Sequence, residues 1–443
     1  MAPVASRIFS MSLEKRVVRI RAWWSVFSVL VLLVSCATGA VALNTPSSTV
    51  RHAKTKAPSQ TTKKSTSSKK TASKSKSPKT TAVSPKTINT SVATATAKAG
   101  KRVRRRGYYE RFTASSFANG MVGDGDITAG EDPIVRQAAI DALNGMNGTA
   151  VVIDPSNGRI LAMVNQKLAL SPGAEPCSTI KLSVALAALS EGLVTRDTPV
   201  QLAGFRMNMT QALAKSNNLY FEELGRELGF DRVRHYANQF GLGELAGYQV
   251  EGEQLGTYPD HAIPEAQGGV GRMCSFGQGV SMTPLQLGAM VAAIANGGTL
   301  YYLQHPTSAE DVEAFQPKVK RTLNIARYIP DIEDGMAGAV EYGTARSLRA
   351  NFNQLPVFGK TGTCSDSGTR FGWFVSFSNS PQGGLVTVFF LEGGRPTFGP
   401  RAAELTGEFY RNLWNRDYFQ SKGQEAEGMP TPSLTRIGTG FVQ

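Results

Sequence analysis

Histidine is scarce in this chain, and its four histidines stand in no pattern that a catalytic triad or a metal site would need. They form no Ser-His-Asp arrangement and no pair at metal-ligand spacing, and they are His52, His235, His261 and His305. The glycines of residues 268–271 also lack the spacing of a phosphate-binding loop. We therefore predict that the protein works without a metal or a cofactor.

Acidic residues are absent between positions 45 and 106, where 17 residues are Lys or Arg. The rest of this stretch is mostly Ser, Thr, Ala and Pro, which cannot bury enough apolar surface to offset the entropy of ordering the chain. We predict a disordered basic linker over residues 44–106. Such a linker is either a solvated, self-repelling spacer or, through the bases of residues 101–106, a segment attracted to anionic lipid or cell-wall polymer.

The net charge of the whole chain is +14, but residues 107–443 carry a net charge of −7. The basic excess therefore belongs to the N-terminal part of the chain. Because a nucleic-acid-binding domain concentrates positive charge on a folded surface, this distribution gives no reason to predict a nucleic-acid partner.

Charged residues are also absent from an apolar run at residues 22–43, which follows five bases and one acid. About 20 apolar residues cross a membrane, and a basic N-terminal flank stays in the cytoplasm. We predict a cytoplasmic segment (1–21) and a transmembrane anchor (22–43) of a single-pass membrane protein, with the rest in the periplasm or at the cell surface. A signal peptide cleaved after Ala42 and a lipoprotein signal at Cys36 are alternatives that also export the chain.

Beyond the linker, apolar patterns predict strands at both ends of a domain and helices between them. Helices are predicted at 133–143, 178–189, 211–228, 283–296, 331–345 and 401–414, and strands at 149–153, 159–163, 355–363, 371–378 and 385–391. This order indicates an α+β domain in which the first hairpin and the last three strands share one antiparallel sheet, flanked by helices and joined to an all-helical subdomain. The domain is predicted to span 107–418 and to be followed by a flexible tail, 419–443.

Ser178 and Lys181 stand three residues apart at the start of an apolar helix, so their side chains lie on one face and can meet. A serine hydroxyl becomes a good nucleophile when a base takes its proton, and a lysine amine does so when burial or another cation lowers its pKa. Residues 179–189 are otherwise almost all apolar or small, which predicts that Lys181 is buried. Taken alone, such pairs also occur by chance in helices whose lysine reaches water.

Two further polar groups follow in the chain. Ser216 and Asn218 form a Ser-x-Asn in a predicted helix, and residues 360–363 form Lys-Thr-Gly-Thr at the end of a predicted strand. Each alone is compatible with a helix cap or an ordinary strand end. The three groups together, in this order and these contexts, are much harder to obtain by chance.

This combination resembles the transpeptidase domain of penicillin-binding proteins, in the serine β-lactamase and D,D-peptidase superfamily. The resemblance covers about residues 130–415 and includes the stretches 276–279, 282–286 and 294–298. It implies an acyltransferase that acts on D-Ala-D-Ala stem peptides of peptidoglycan through an acyl-enzyme, and that β-lactam antibiotics acylate.

The resemblance also implies a role for each residue of the three motifs. Ser178 would be the nucleophile, Lys181 its base and Ser216 a proton relay to the leaving group. Asn218 would hold the substrate amide, and Lys360, Thr361 and Thr363 would bind its terminal carboxylate. The N–H groups of Ser178 and Thr363 would form an oxyanion hole. Independently of the resemblance, Gly362 has no side chain and would let a ligand backbone approach.

Cys177 and Cys364 directly adjoin the first and third motifs. Carbapenem-hydrolysing class A β-lactamases are similar in carrying a disulfide close to the nucleophile, and the family's oxyanion hole would bring these two positions together. We predict a Cys177–Cys364 disulfide with Cys274 free. Three free thiols, Cys177, Cys274 and Cys364, are the alternative.

Three functions fit these motifs. A D,D-transpeptidase or D,D-carboxypeptidase is the first, although residues 45–130 are too short and too polar for a glycosyltransferase or pedestal domain. A β-lactamase is the second, favoured by the cysteines but lacking a Glu-x-x-Leu-Asn for the hydrolytic water. Glu251 and Glu253 match that pattern poorly. The third is a penicillin-binding sensor, for which the sequence before the anchor offers no signalling domain.

Overall fold

The computed structural model describes residues 116–379 and 384–421. The predicted cytoplasmic segment, anchor and linker lie outside these residues, as does most of the predicted tail. Within the described residues, no helix has the length and apolar character that a membrane crossing requires.

A five-stranded antiparallel sheet forms the centre of the fold. Its strands follow the spatial order β2-β1-β9-β8-β7. The prediction that the first hairpin joins the last three strands is therefore confirmed. The strands are β1 (Gly148–Ile153), β2 (Ile160–Val164), β7 (Val357–Asp366), β8 (Thr369–Ser378) and β9 (Leu385–Gly393), and two small hairpins elsewhere contain β3 (Val200–Leu202), β4 (Phe205–Met207), β5 (Thr299–Tyr301) and β6 (Val319–Thr322).

Helices cover both faces of the sheet. They are α1 (Pro133–Leu143), α2 (Gln166–Ala169), α3 (Lys181–Ser190), α4 (Met209–Ala214), α5 (Asn218–Gln239), α6 (Gly269–Phe276), α7 (Pro284–Ala295), α8 (Ala309–Glu313), α9 (Ile329–Glu341) and α10 (Gly399–Trp414). The predicted helices at 133–143, 283–296, 331–345 and 401–414 match α1, α7, α9 and α10 within four residues. Short 3-10 turns lie at Cys177–Ile180, Glu265–Gln267, Ala326–Tyr328 and Arg346–Ala350.

The central strands are buried on both faces, so the alternation of side chains divides the interior into two cores. On β1, Val151 and Ile153 pack in the larger core with residues of α3, α5 and α7. Ala150 and Val152 of the same strand pack in the smaller core with residues of α1 and α10. The larger core adjoins the helices that carry the first two polar motifs.

The apolar helix predicted at 178–189 begins differently from the prediction. Its first turn is the 3-10 segment Cys177–Ile180, and the α-helix starts at Lys181 without a side-chain cap. The backbone enters this turn with Cys177 in the left-handed region at a φ of 52°. Tight first turns of this kind are common at helix ends, and Ser178 still precedes Lys181 by three residues.

The prediction of one continuous helix over 211–228 is wrong. The chain forms α4 and α5 with a break at residues 215–217, where Ser216 has a φ of 53°. Asn217 restarts the helix, because its side chain accepts a hydrogen bond from the Tyr220 N–H at 2.9 Å. The apolar spacing continues across the break, which is why periodicity alone did not reveal it.

Ordered packing continues past the predicted domain boundary at 418. Phe419, placed in the flexible tail by its polar neighbours, is only 3% exposed. Its ring lies 6.4 Å from that of Trp414, at the edge of the smaller core. The packing of Phe419 against the smaller core therefore fixes the segment that follows α10.

A buried ion cluster attaches the segment before α1 to the sheet. Arg136 contacts Asp126 at 2.7 Å and Glu131 at 2.8 Å, with both carboxylates almost fully buried. Glu131 also accepts the Met163 N–H of β2 at 2.9 Å and lies 3.0 Å from the ring nitrogen of His305. Because the Glu131 carboxylate is almost fully buried and its partners have little access to water, its removal would leave charges and donors poorly satisfied.

Glu131→Ala is therefore expected to lower the free energy of unfolding by about 3 kcal/mol or more. Asp141→Ala is the matched control, because Asp141 also pairs with an arginine, Arg416, but at the surface. Asp141→Ala should lower the free energy of unfolding by less than about 1 kcal/mol. Urea unfolding followed by circular dichroism measures both, and equal losses would contradict a stabilising role of the buried cluster.

Candidate active site

The Ser178 hydroxyl and the Lys181 amine meet at the start of α3. Lys181 Nζ lies 2.6 Å from Ser178 Oγ, and the side chain of Lys181 has no exposed surface. The prediction that this lysine is buried is confirmed. The short 3-10 turn and the first turn of α3 together bring the two side chains to the same face.

Two more oxygen atoms surround the Lys181 amine. They are Asn218 Oδ1 and the backbone oxygen of Ser275, each 2.7 Å from Nζ. A neutral amine has two N–H groups and one lone pair. The two oxygens can accept the two N–H groups, which leaves the lone pair for the proton of Ser178. The site can therefore hold Lys181 as a base.

Ser275 carries no sequence signal, because it contributes a main-chain atom. Its carbonyl lies in the last turn of α6, where helix carbonyls lack an intrahelical partner. The rings of Phe221 and Phe276 also face Lys181, with centroids 5.8 and 5.9 Å from Nζ. Sequence reasoning missed both aromatic rings as well as the carbonyl.

Burial is the largest influence on Lys181 and lowers its pKa well below the ordinary value for lysine. The positive charge of Lys360 lowers it further, and Glu222 acts in the opposite direction. Removing an ammonium from water disfavours the charged form, and a nearby cation adds to that effect. The pKa of Lys181 is thus shifted in the direction that a general base requires.

Lys360 and Ser216 form a second pair in the site. Lys360 Nζ donates to Ser216 Oγ at 2.8 Å and to the backbone oxygen of Thr361 at 2.9 Å. Burial lowers the pKa of Lys360 to about 7. The predicted position of Lys360 near a strand end is wrong, because β7 pairs with β8 as far as Asp366 and Lys360 lies inside it.

The two threonines of the third motif have different surroundings. Thr361 is buried, and its hydroxyl oxygen lies 2.6 Å from that of Thr344, a residue that no motif pointed to. Thr363 is exposed, and its hydroxyl oxygen accepts the Gly399 N–H at 2.8 Å. Since that oxygen already accepts, the Thr363 proton remains to be donated, and Thr363 presents the more accessible hydroxyl.

Gly362 lies where strand β7 crosses the turn that carries Ser178. A Cβ atom at this position would stand 2.9 Å from the Pro176 carbonyl oxygen and 3.2 Å from the Thr179 side chain. The closest neighbours of a side chain at position 362 would thus be atoms of the protein itself. The absence of a side chain lets the first and third motifs approach each other.

A disulfide joins the same two segments. Cys177 and Cys364 are bonded, with their Cα atoms 5.5 Å apart, and Cys274 is free and buried. The Glu175 carbonyl oxygen accepts the Trp373 side-chain N–H at 3.1 Å and so adds a contact between β8 and the segment before the nucleophile. The turn of Ser178 is therefore held to the sheet covalently and by hydrogen bonding.

The described residues contain no group of three His, Cys, Asp or Glu side chains that converges as a metal site would require. The structure instead assembles the three polar motifs around the turn at residues 177–180. Ser178, Lys181 and Asn218 form one connected group, and Ser216, Lys360 and Thr361 form the other.

Replacing Cys177 and Cys364 together by alanine is expected to lower the free energy of unfolding by roughly 2–4 kcal/mol. The bridge closes a separation of 187 residues, so its loss frees the unfolded chain. Dithiothreitol should destabilise the wild type and leave the double variant unchanged in thermal unfolding. Equal effects of the reductant on both proteins would contradict a stabilising bridge.

Comparison with known proteins agrees with this arrangement. The profile described as penicillin binding protein transpeptidase domain matches residues 148–408. Stage V sporulation protein D of Bacillus subtilis is 27% identical over 316 residues, which are 59% of this chain and 48% of that protein. Peptidoglycan D,D-transpeptidase MrdA of Acinetobacter baumannii is 26% identical over 387 residues, 67% of this chain and 56% of that protein. The chain thus spans about half the length of these relatives.

Solved structures share the fold. A peptidoglycan glycosyltransferase from Burkholderia ambifaria superposes with a TM-score of 0.56 at 19% identity, over 65% of this chain and 97% of that one. PBP2 of Pseudomonas aeruginosa in complex with WCK 5153 superposes with a TM-score of 0.52 at 23% identity, over 65% of this chain and 77% of that one. The matched profile covers more than half of the sequence. The chain therefore belongs to the penicillin-binding protein transpeptidase family.

Proposed function

We propose that the protein is a serine D,D-acyltransferase, a D,D-transpeptidase or D,D-carboxypeptidase, that acts on D-Ala-D-Ala stem peptides of peptidoglycan. The observation that carries the proposal is the 2.6 Å contact between Ser178 Oγ and a fully buried Lys181 amine. The same contact makes the protein a target of β-lactam antibiotics, whose amide resembles the scissile bond. No cofactor takes part in the proposed reaction.

Acylation exchanges one covalent bond and moves two protons, one from Ser178 and one to the leaving amine. Lys181 takes the Ser178 proton while Ser178 Oγ attacks the carbonyl carbon of the substrate. The C–N bond then breaks, and the leaving amine takes the Ser216 proton, which Lys360 replaces. An amine of a second stem peptide, or water, next attacks the acyl-enzyme and passes one proton back to Lys360 through Ser216. As the bond between the acyl carbon and Ser178 Oγ breaks, Lys181 returns its proton to Ser178. Ser216 Oγ accepts from Lys360, which leaves the Ser216 proton available for this relay.

Substrate recognition divides among the other motif residues. Asn218 uses Oδ1 for Lys181, so its amide nitrogen is the group that would donate to a substrate carbonyl. Lys360 and the Thr363 hydroxyl would bind the terminal carboxylate, with Thr361 held behind them by Thr344. The N–H groups of Ser178 and Thr363 would form the oxyanion hole. The close approach of β7 to the nucleophile turn, permitted by Gly362, supports that pairing.

The proposed substrate lies outside the cytoplasm. The basic segment at 1–21 and the apolar run at 22–43 support a membrane anchor that places the domain in the periplasm or at the cell surface. The membership of the domain in the penicillin-binding family supports the same location, because peptidoglycan cross-links form there. The linker at 44–106 would give the domain reach from the membrane.

A β-lactamase is the second candidate, and the disulfide beside the nucleophile is the observation that favours it. Rapid hydrolysis needs a base for the deacylating water. Glu253, one of the two carboxylates considered for that role, accepts the N–H groups of Ala246 and Gly247 and so closes a turn. Its engagement there favours the acyltransferase. A sensor that is acylated once is the third candidate.

Fluorescent penicillin distinguishes the three candidates. The full chain is incubated with the label, and both attachment to Ser178 and its release are followed. A stable adduct with turnover of a D-Ala-D-Ala peptide is the expected result. Rapid release would instead establish a β-lactamase, a stable adduct without peptide turnover would favour a sensor, and absence of any adduct would exclude all three.

Ser178→Ala is expected to abolish labelling, because no other group occupies the position of the nucleophile. Lys181→Met replaces the amine by an apolar side chain of similar length, so the buried position stays filled. It should slow acylation by roughly 100- to 10,000-fold, the usual contribution of a general base. Unchanged thermal unfolding serves as the control for folding. Labelling of Lys181→Met at the wild-type rate would contradict the role of base.

Thr363→Val is expected to slow acylation by penicillin about tenfold, since one charge-assisted hydrogen bond to the carboxylate is lost. Penicillin methyl ester, which lacks the carboxylate charge, should react with the variant and the wild type at similar rates. The ratio of the two acylation rates is the measurement. An equal loss for both compounds would show that Thr363 does not recognise the carboxylate.

A further inference from the structure

Helix α5 presents two side chains toward Lys181, one turn apart. Asn218 and Glu222 stand four residues apart, on one face of the helix. Asn218 Oδ1 accepts directly from Lys181 Nζ. Glu222 Oε1 accepts from Ser275 Oγ at 3.3 Å, and the carbonyl of the same Ser275 accepts from Lys181. One serine therefore contacts both the amine and the carboxylate.

The charged groups around Lys181 come from three elements. Lys360 faces it from β7 and Glu222 from α5. Arg226 holds Glu222 at 3.2 Å and Glu223 at 2.8 Å, one turn further along α5. From α6, Arg272 lies over the ring of Phe276, whose centroid is 5.9 Å from Lys181 Nζ. The side chain of Glu222 is only 17% exposed, so solvent screens its charge incompletely.

We propose that Glu222, held by Arg226 and Ser275, is a positioning residue that sets the balance between the neutral and the charged form of Lys181. The inference rests on the proposed function, in which Lys181 is the base. Glu222 contacts Ser275 rather than any reacting atom. It acts through the electric field at the amine and through the orientation of the Ser275 carbonyl.

The balance matters because Lys181 must change charge during acylation. It starts neutral, takes the Ser178 proton and becomes a cation in a buried site that already contains Lys360. The Glu222 carboxylate, separated from Lys181 by Ser275, stabilises that cation. Burial and the charge of Lys360 destabilise it. Arg226 neutralises part of the Glu222 charge. The pair thereby opposes part of the lowering of the Lys181 pKa by burial and Lys360, so that the amine can act as a base and still hold the proton.

The test is the pH dependence of Ser178 acylation by fluorescent penicillin in the full chain. Glu222→Gln keeps the shape and an acceptor oxygen but removes the charge. It should move the acid limb of the rate profile to lower pH by about half a unit or more. Arg226→Gln removes the cation that partly neutralises Glu222, so the carboxylate acts more strongly on Lys181 and the acid limb should move to higher pH. Glu227→Gln removes an exposed carboxylate from the same helix and should leave the limb in place.

Opposite shifts for Glu222→Gln and Arg226→Gln, with an unmoved Glu227→Gln control, would support the proposal. A uniform loss of rate in Glu222→Gln without a shift would overturn it, because a purely structural contact lowers the rate at every pH alike. Shifts in the same direction for both variants would overturn it as well. Failure of the wild type to be acylated at Ser178 would instead refute the proposed function itself.

Discussion

The burial of the Lys181 amine among oxygen atoms is the constraint on which the site depends. An amine without water is stable only if its hydrogens and its lone pair all find partners, and here the partners come from three separate segments. Ser178 lies on the preceding turn, Asn218 begins α5, and Ser275 lies in the last turn of α6. The three segments must therefore pack correctly for the lysine to serve as the proposed base. The proposed catalysis and the folding of the domain depend on the same contacts.

A second constraint is the contact between strand β7 and the nucleophile turn. It brings the lysine of the third motif close enough to influence Lys181, and a glycine and a disulfide maintain it. Two non-glycine residues near the site have a left-handed backbone. Cys177 directly precedes Ser178, and Ser216 lies in the break after α4. Such conformations persist where the surrounding structure enforces them, and they cluster at functional sites. The site therefore combines rigid packing with local backbone strain.

The sequence predicted what local patterns encode and missed what tertiary packing decides. Apolar spacing located α1, α7 and α10. The order of predicted strands and helices indicated the sheet, and the three-residue spacing indicated the pairing of Ser178 with Lys181. The break before α5 was missed because it depends on Ser216 in the left-handed region, while the apolar spacing runs through it. The Ser275 carbonyl was missed because main-chain atoms have no residue signature. Thr344 was missed because it belongs to no motif and meets Thr361 only through tertiary packing.

The strand order also determines when the site can exist. β1 lies beside β9, although more than 230 residues separate them in the chain. A hairpin of two strands is only marginally stable by itself, so the N-terminal strands cannot complete their sheet until their C-terminal partners have been synthesised. Lys360 arrives with those last strands. The proposed nucleophile and base are synthesised early, but the surface that would receive a carboxylate is completed only when the last strands join the sheet.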